Sequence, residues 1–168
     1  EGYPDARFMK LIAELKPDQV TLVPDPPEVL TSNTGWDTVK NKDFLSEIIQ
    51  ELRLSGARIS VFCNPEISMV EGAAQIEANR IELYTGPYAQ DFVQNPAQAL
   101  RSFVEAADVA KKIGLGVNAG HDLDLQNLKY LKKGIPYLAE VSIGHALFCD
   151  ALYYGIENTI QMYKRQLQ

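Results

Sequence analysis

Two histidines stand in this chain of 168 residues, and each follows a glycine at the seam between an apolar run and a helix-like segment. In VNAGHDLDL, His121 is preceded by Asn118 and followed by Asp122, so its ring can be held in one tautomer and exchange a proton near neutral pH. In EVSIGHALF, Gly144 and His145 open a helix, where backbone N–H groups and the positive end of the helix dipole favour an anion. Glu82, between Ile81 and Leu83 in RIELYTG, puts a carboxylate inside a buried type of strand, which is costly unless the group is paired or used. It either faces a barrel interior or lies on the outer face with a partner such as Arg80. Thr31 and Ser32 are hydroxyls in a polar loop, and Glu1 is one carboxylate more; none of the three implies chemistry unaided.

These residues need elements to hold them. Helical spacing of Phe8, Leu11, Ile12 and Leu15 predicts a helix from Asp5 to Lys16, followed by a strand in QVTLVP. The polar, proline-containing DPPEVLTSNTGWD is longer than an ordinary connection and reads as a lid or binding loop. A helix from Asn41 to Gly56 leads to the strand ARISVFC, and a helix from Pro65 to Ala78 to the strand RIELYTG. A helix from Ala97 to Ile113 precedes GLGVNAG, one from Leu125 to Lys133 precedes AEVSIG, and a long closing helix starts at His145. Strict alternation of apolar strands and helices predicts a parallel α/β sheet in a single domain over residues 1–168.

Composition narrows the function. A net charge of −6 with dispersed basic residues offers neither a nucleic-acid stripe nor a polybasic membrane patch. No segment approaches the roughly 20 apolar residues of a membrane span, and the expected compartment is the cytoplasm. Cys63 and Cys149, without a CxxC or clustered histidines, are expected to be reduced, packed thiols, and no metal site is expected. The glycines of GLGVNAG precede and occupy the strand rather than the turn after it, which excludes the dinucleotide-binding fingerprint. A (β/α)8 TIM barrel fits better, because it presents its chemistry at the C-terminal strand ends and binds phosphate at a helix N-terminus after its last strands.

LVPD with its long loop to GWD, then IELYTGPYA, GLGVNAGH and SIGHAL, resembles the pyridoxine 5′-phosphate synthase family in order and spacing over essentially the whole chain. The resemblance implies a (β/α)8 barrel assembled as a homo-octamer. It implies a transferase-type, ring-closing condensation of 1-deoxy-D-xylulose 5-phosphate with 3-amino-2-oxopropyl phosphate, releasing inorganic phosphate and water, with no metal or organic cofactor.

By position, Glu1 matches a general acid–base glutamate at the end of the family's third strand, and His121 its proton-donating histidine. Glu82 matches a glutamate that stabilises cationic or imine-like intermediates, and Thr31 a substrate-binding threonine in the loop after the fourth strand. Gly144 and His145 match the phosphate-binding pair, while Asp122 stands where many members have a glycine whose backbone contacts substrate phosphate. The family's first strands have no counterpart, so this chain is expected to supply about the last five βα units of the barrel and to be a piece of a longer polypeptide, or to have its missing part supplied separately. Other readings are another phosphosugar-handling barrel, which lacks here the strand-end lysine of an aldolase or the metal ligands of an epimerase, and a non-catalytic phosphate-ligand-binding fragment.

Overall fold

The computed structural model describes residues 1–26, 28, 29 and 31–168. Helix α1 (Ala6–Leu15) starts at Asp5, whose carboxylate accepts the Phe8 N–H at 2.7 Å. Strand β1 (Gln19–Leu22), helix α2 (Lys42–Arg53), β2 (Arg58–Cys63), α3 (Ile67–Gln75) and β3 (Arg80–Tyr84) follow. After them come α4 (Gly86–Phe92), α5 (Pro96–Lys112), β4 (Gly116–Gly120), α6 (Leu128–Gly134), β5 (Glu140–Ser142), α7 (His145–Tyr154) and α8 (Ile156–Gln166). The strands form one parallel sheet in chain order, and Gly2 adds an isolated parallel bridge to Leu22 beyond β1.

Alternation of side chains along each strand gives the sheet two unlike faces. Val20, Leu22, Ile59, Val61, Ile81 and Leu83 point outward and are fully buried against the helices. Each such side chain contributes about 1.5–3 kcal/mol. The inner face carries Gln19, Thr21, Arg58, Ser60, Arg80, Glu82, Asn118 and Glu140, so the expected near-continuous apolarity holds for the outer face only. Glu140 gathers this face together. Its carboxylate pairs with Arg58 at 2.6 Å and Arg80 at 3.1 Å and accepts from the amides of Gln19 at 3.1 Å and Asn118 at 3.2 Å. A direct bond from the first strand to the fifth requires the sheet to curl, and the architecture is a parallel half-barrel.

Three expectations change. GPYAQDF forms α4 directly after β3, a short helix opened by Pro87 that carries too few turns to show a period. The closing helix is two helices, broken at Gly155, whose φ of 78° suits glycine alone among the common residues. Cys63 is buried, and desolvation, with Glu66 and Glu82 nearby, pushes its thiol up to about 12, but Cys149 is exposed on α7 rather than packed. Among the described residues no helix is long and apolar enough to cross a membrane.

The long loop after β1 is fastened at its far end. Gly35 donates its N–H to the Asn64 side chain at 2.9 Å, and Trp36 donates to the Phe62 carbonyl at 2.8 Å. A β-carbon on Gly35 would lie 2.3 Å from Cys63 Cα and 2.6 Å from Asn64 N, both backbone atoms that cannot turn aside. Gly35→Ala is therefore expected to lower stability by about 1–3 kcal/mol, read as a lower urea midpoint with an unchanged m-value.

Candidate active site

The C-terminal ends of the strands surround a cavity of about 580 Å³. Glu1 reaches it from beside β1, Thr31 and Ser32 from the long loop, and Glu82 from β3. His121 and Asp122 reach it from the turn after β4, and Gly144 and His145 from the start of α7. These eight residues, all named from the sequence, thus line one space.

Glu82 is on the inner face, 2% exposed, which decides between the two orientations left open above. Room for it comes from β4, because a β-carbon on Gly120 would lie 2.2 Å from Glu82 Oε1. The Thr21 hydroxyl donates to Oε2 at 3.4 Å, and Arg80 is occupied by Asn118 at 2.8 Å and by Glu140. Burial, reinforced by the negative charge of Glu1, raises the Glu82 carboxyl from its ordinary 4.5 to about 7, against a lowering by the Ser142 and Thr21 hydroxyls. Such a carboxyl gives and takes a proton near neutral pH.

His121 is clasped from both sides. Nδ1 lies 2.9 Å from Asp122 Oδ2, and Nε2 lies 2.9 Å from Thr31 Oγ1. An ionised carboxylate only accepts, so Nδ1 carries the hydrogen and Nε2 is the nitrogen that faces the Thr31 hydroxyl. Tyr84 meets the ring edge-on, with centroids 5.1 Å apart. Asn118, expected near His121, instead belongs to the Arg80–Glu140 network beneath. His121 and Asp122 have φ of 89° and 56°, and Asp is among the few residues that tolerate this region at modest cost. Glycine would suit the Asp122 position equally, but it could not bond Nδ1.

At the other wall, Gly144 is the N-cap of α7 with no side-chain cap. The first N–H groups of this helix have no partner within it, and residues 143–146 border the cavity. Thr21, Ser142 and Tyr84 were missed by reading the sequence residue by residue. Their signal is the alternation itself, since Thr21 lies two residues past Gln19, Tyr84 two past Glu82 and Ser142 two past Glu140 on the inner face.

The sequence profile of the family described as "Pyridoxal phosphate biosynthesis protein PdxJ" matches residues 1–168. The chain belongs to the PdxJ family. A relative from Cytophaga hutchinsonii is 59% identical over 168 residues, which make up all of this chain and 71% of that protein. Relatives from Bacteroides fragilis and Christiangramia forsetii are 55% and 51% identical, with the same coverage. All three are named pyridoxine 5'-phosphate synthase. The solved structure of the Amycolatopsis orientalis BexX/CysO complex is 19% identical with a TM-score of 0.59. It covers 97% of this chain, which spans 60% of that one, and the likeness concerns the fold alone.

In this PdxJ-family chain the raised Glu82 carboxyl makes stability depend on pH. The native state holds the proton that the unfolded state has released between 4.5 and about 7, so stability from this group is present below that window and lost through it. Glu82→Gln should be about as stable as the parent near pH 4 and more stable by about 3 kcal/mol at pH 8, measured by denaturant unfolding at both values.

Proposed function

We propose that the chain forms part of a pyridoxine 5′-phosphate synthase. It would condense 1-deoxy-D-xylulose 5-phosphate with 3-amino-2-oxopropyl phosphate to pyridoxine 5′-phosphate, releasing inorganic phosphate and water. The observation that carries this reading is the meeting, in one cavity, of two proton-exchanging groups, Glu82 and His121, with an uncapped helix N-terminus at Gly144 and His145. The relatives' shared name supports the choice of reaction.

The chemistry asks for repeated proton transfers. Imine formation loses water, elimination loses phosphate, and ring closure needs a carbon acid deprotonated and an oxygen protonated. With Nδ1–H held on Asp122, His121 Nε2 takes up a proton to form the imidazolium and gives it back as the donor, and Glu1 shares the acid–base work. Glu82 is neutral or singly charged according to what lies beside it, and a cationic imine in the cavity draws it to its ionised form. Thr31 positions substrate from the loop once released from Nε2. Gly144 and His145 receive a phosphate through backbone N–H groups and the imidazole, and the Asp122 backbone contacts phosphate while its carboxylate stays on His121.

The five βα units are read as the last five of an eight-stranded barrel in a cytoplasmic homo-octamer. The share of the relatives' length, the three-residue edge strand β5 and the exposed Phe148, Leu152 and Tyr153 on α7 support the missing neighbours.

His121→Asn in the intact protein should leave the far-UV spectrum and unfolding midpoint unchanged and cut turnover of the substrate pair by about 100-fold or more, followed as product formed. Turnover within a few-fold of the parent would remove His121 from the donor role.

A further inference from the structure

We propose that Thr85 and Asn127 are positioning residues that aim His121 by gripping the carbonyls of three successive residues. The inference rests on the reading of His121 as the proton donor.

The feature that needs support is the pair of left-handed residues. His121 at φ 89° and Asp122 at φ 56° follow one another without a glycine between them. A non-glycine residue in a sparsely populated region costs on the order of 1–3 kcal/mol and persists only where its surroundings over-determine it. Those surroundings are present. Thr85 is fully buried, its N–H donates to the Gly120 carbonyl at 2.9 Å, and its hydroxyl is shared between the carbonyls of Gly120, at 2.6 Å, and His121. Asn127, 3% exposed, donates from Nδ2 to the Asp122 carbonyl at 3.1 Å and accepts the Asp124 N–H on Oδ1 at 3.0 Å. The buried Tyr88 hydroxyl donates to the Asn127 carbonyl at 2.7 Å and fixes that residue in turn.

Two details separate this from ordinary loop packing. Thr85 is the N-cap residue of α4, yet its side chain makes no capping bond to that helix and serves the neighbouring strand end instead. Neither Thr85 nor Asn127 borders the cavity, so each acts through His121 and not on substrate. Thr85 also lies three residues past Glu82 on the same chain segment, which ties the placement of the histidine to that of the carboxylate.

The test uses the intact protein carrying Thr85→Val, which keeps the shape and removes the donor, and Thr85→Ser, which keeps the donor. Asn127→Asp, which retains the acceptor for Asp124 and lacks the donor to Asp122, is a second route if the valine variant does not fold. Three quantities are compared: kcat and KM for the substrate pair, the thermal midpoint, and the ring ¹⁵N resonances of His121. Thr85→Val and Asn127→Asp are expected to lower kcat about tenfold or more with KM within about twofold, and to move the His121 ring resonances. Thr85→Ser is expected to restore both. Unmoved ring resonances in folded Thr85→Val and Asn127→Asp variants would overturn the proposal, as would a kcat loss no larger than the unfolded fraction. The ring resonances report on the grip even if the protein turns over a different substrate pair, so failure of the synthase reading would show in the assay alone.

Discussion

A parallel sheet whose inner face is polar must neutralise what it buries, and the Glu140 carboxylate is where this sheet does so. It receives Arg58 from β2, Arg80 from β3, Asn118 from β4 and Gln19 from β1. Because these partners come from every other strand, satisfying one carboxylate also sets the curl. Both guanidinium groups are spent in that lower layer. Glu82, nearer the C-terminal strand ends, has hydroxyl partners and the like charge of Glu1 beside it. The same inner face therefore holds one carboxylate that is structural and one that stays near its titration point.

Clearance and strain then bring the second working group within reach of the first. Gly120 on β4 makes way for the Glu82 side chain, and Gly116 does the same for Arg80, whose Cγ would lie 2.8 Å from an added β-carbon. Immediately after Gly120 the chain turns through two left-handed residues, and the imidazole is delivered to the cavity with Asp122 on one nitrogen and Thr31 on the other. Gly116 and Gly120 are thus spaced for the side chains of the adjacent strand, which is why they sit within β4 and not in a phosphate-binding turn, whereas Gly114 precedes the strand at φ 87°.

Much of this is legible in the amino-acid sequence itself. Five strands fell where QVTLVP, ARISVFC, RIELYTG, GLGVNAG and AEVSIG place them, since an apolar outer face and short bounding turns leave a strong local signal. The clustering of Glu82, His121, Asp122, Gly144 and His145 follows from their positions at strand ends, whereas Glu1 and Thr31 join it only through the family resemblance. What escaped depended on geometry across the sheet. The orientation of Glu82 was ambiguous because a carboxylate flanked by Ile81 and Leu83 reads alike on either face. Asn118 was assigned to His121 by proximity in sequence, whereas strand alternation turns it towards Arg80 and Glu140. Thr85 carried no signal at all, because its importance lies in carbonyls belonging to residues 120 and 121.

Glu82 is buried beside a like charge, a setting that holds its proton into the neutral range. The direct measurement is a ¹³C-carboxyl NMR titration of glutamate-labelled protein, with the Glu82 signal assigned by its loss in Glu82→Gln. A midpoint near the value of about 7 is predicted. A midpoint at the ordinary 4.5 would mean that Glu82 is solvated or paired, and would contradict the account.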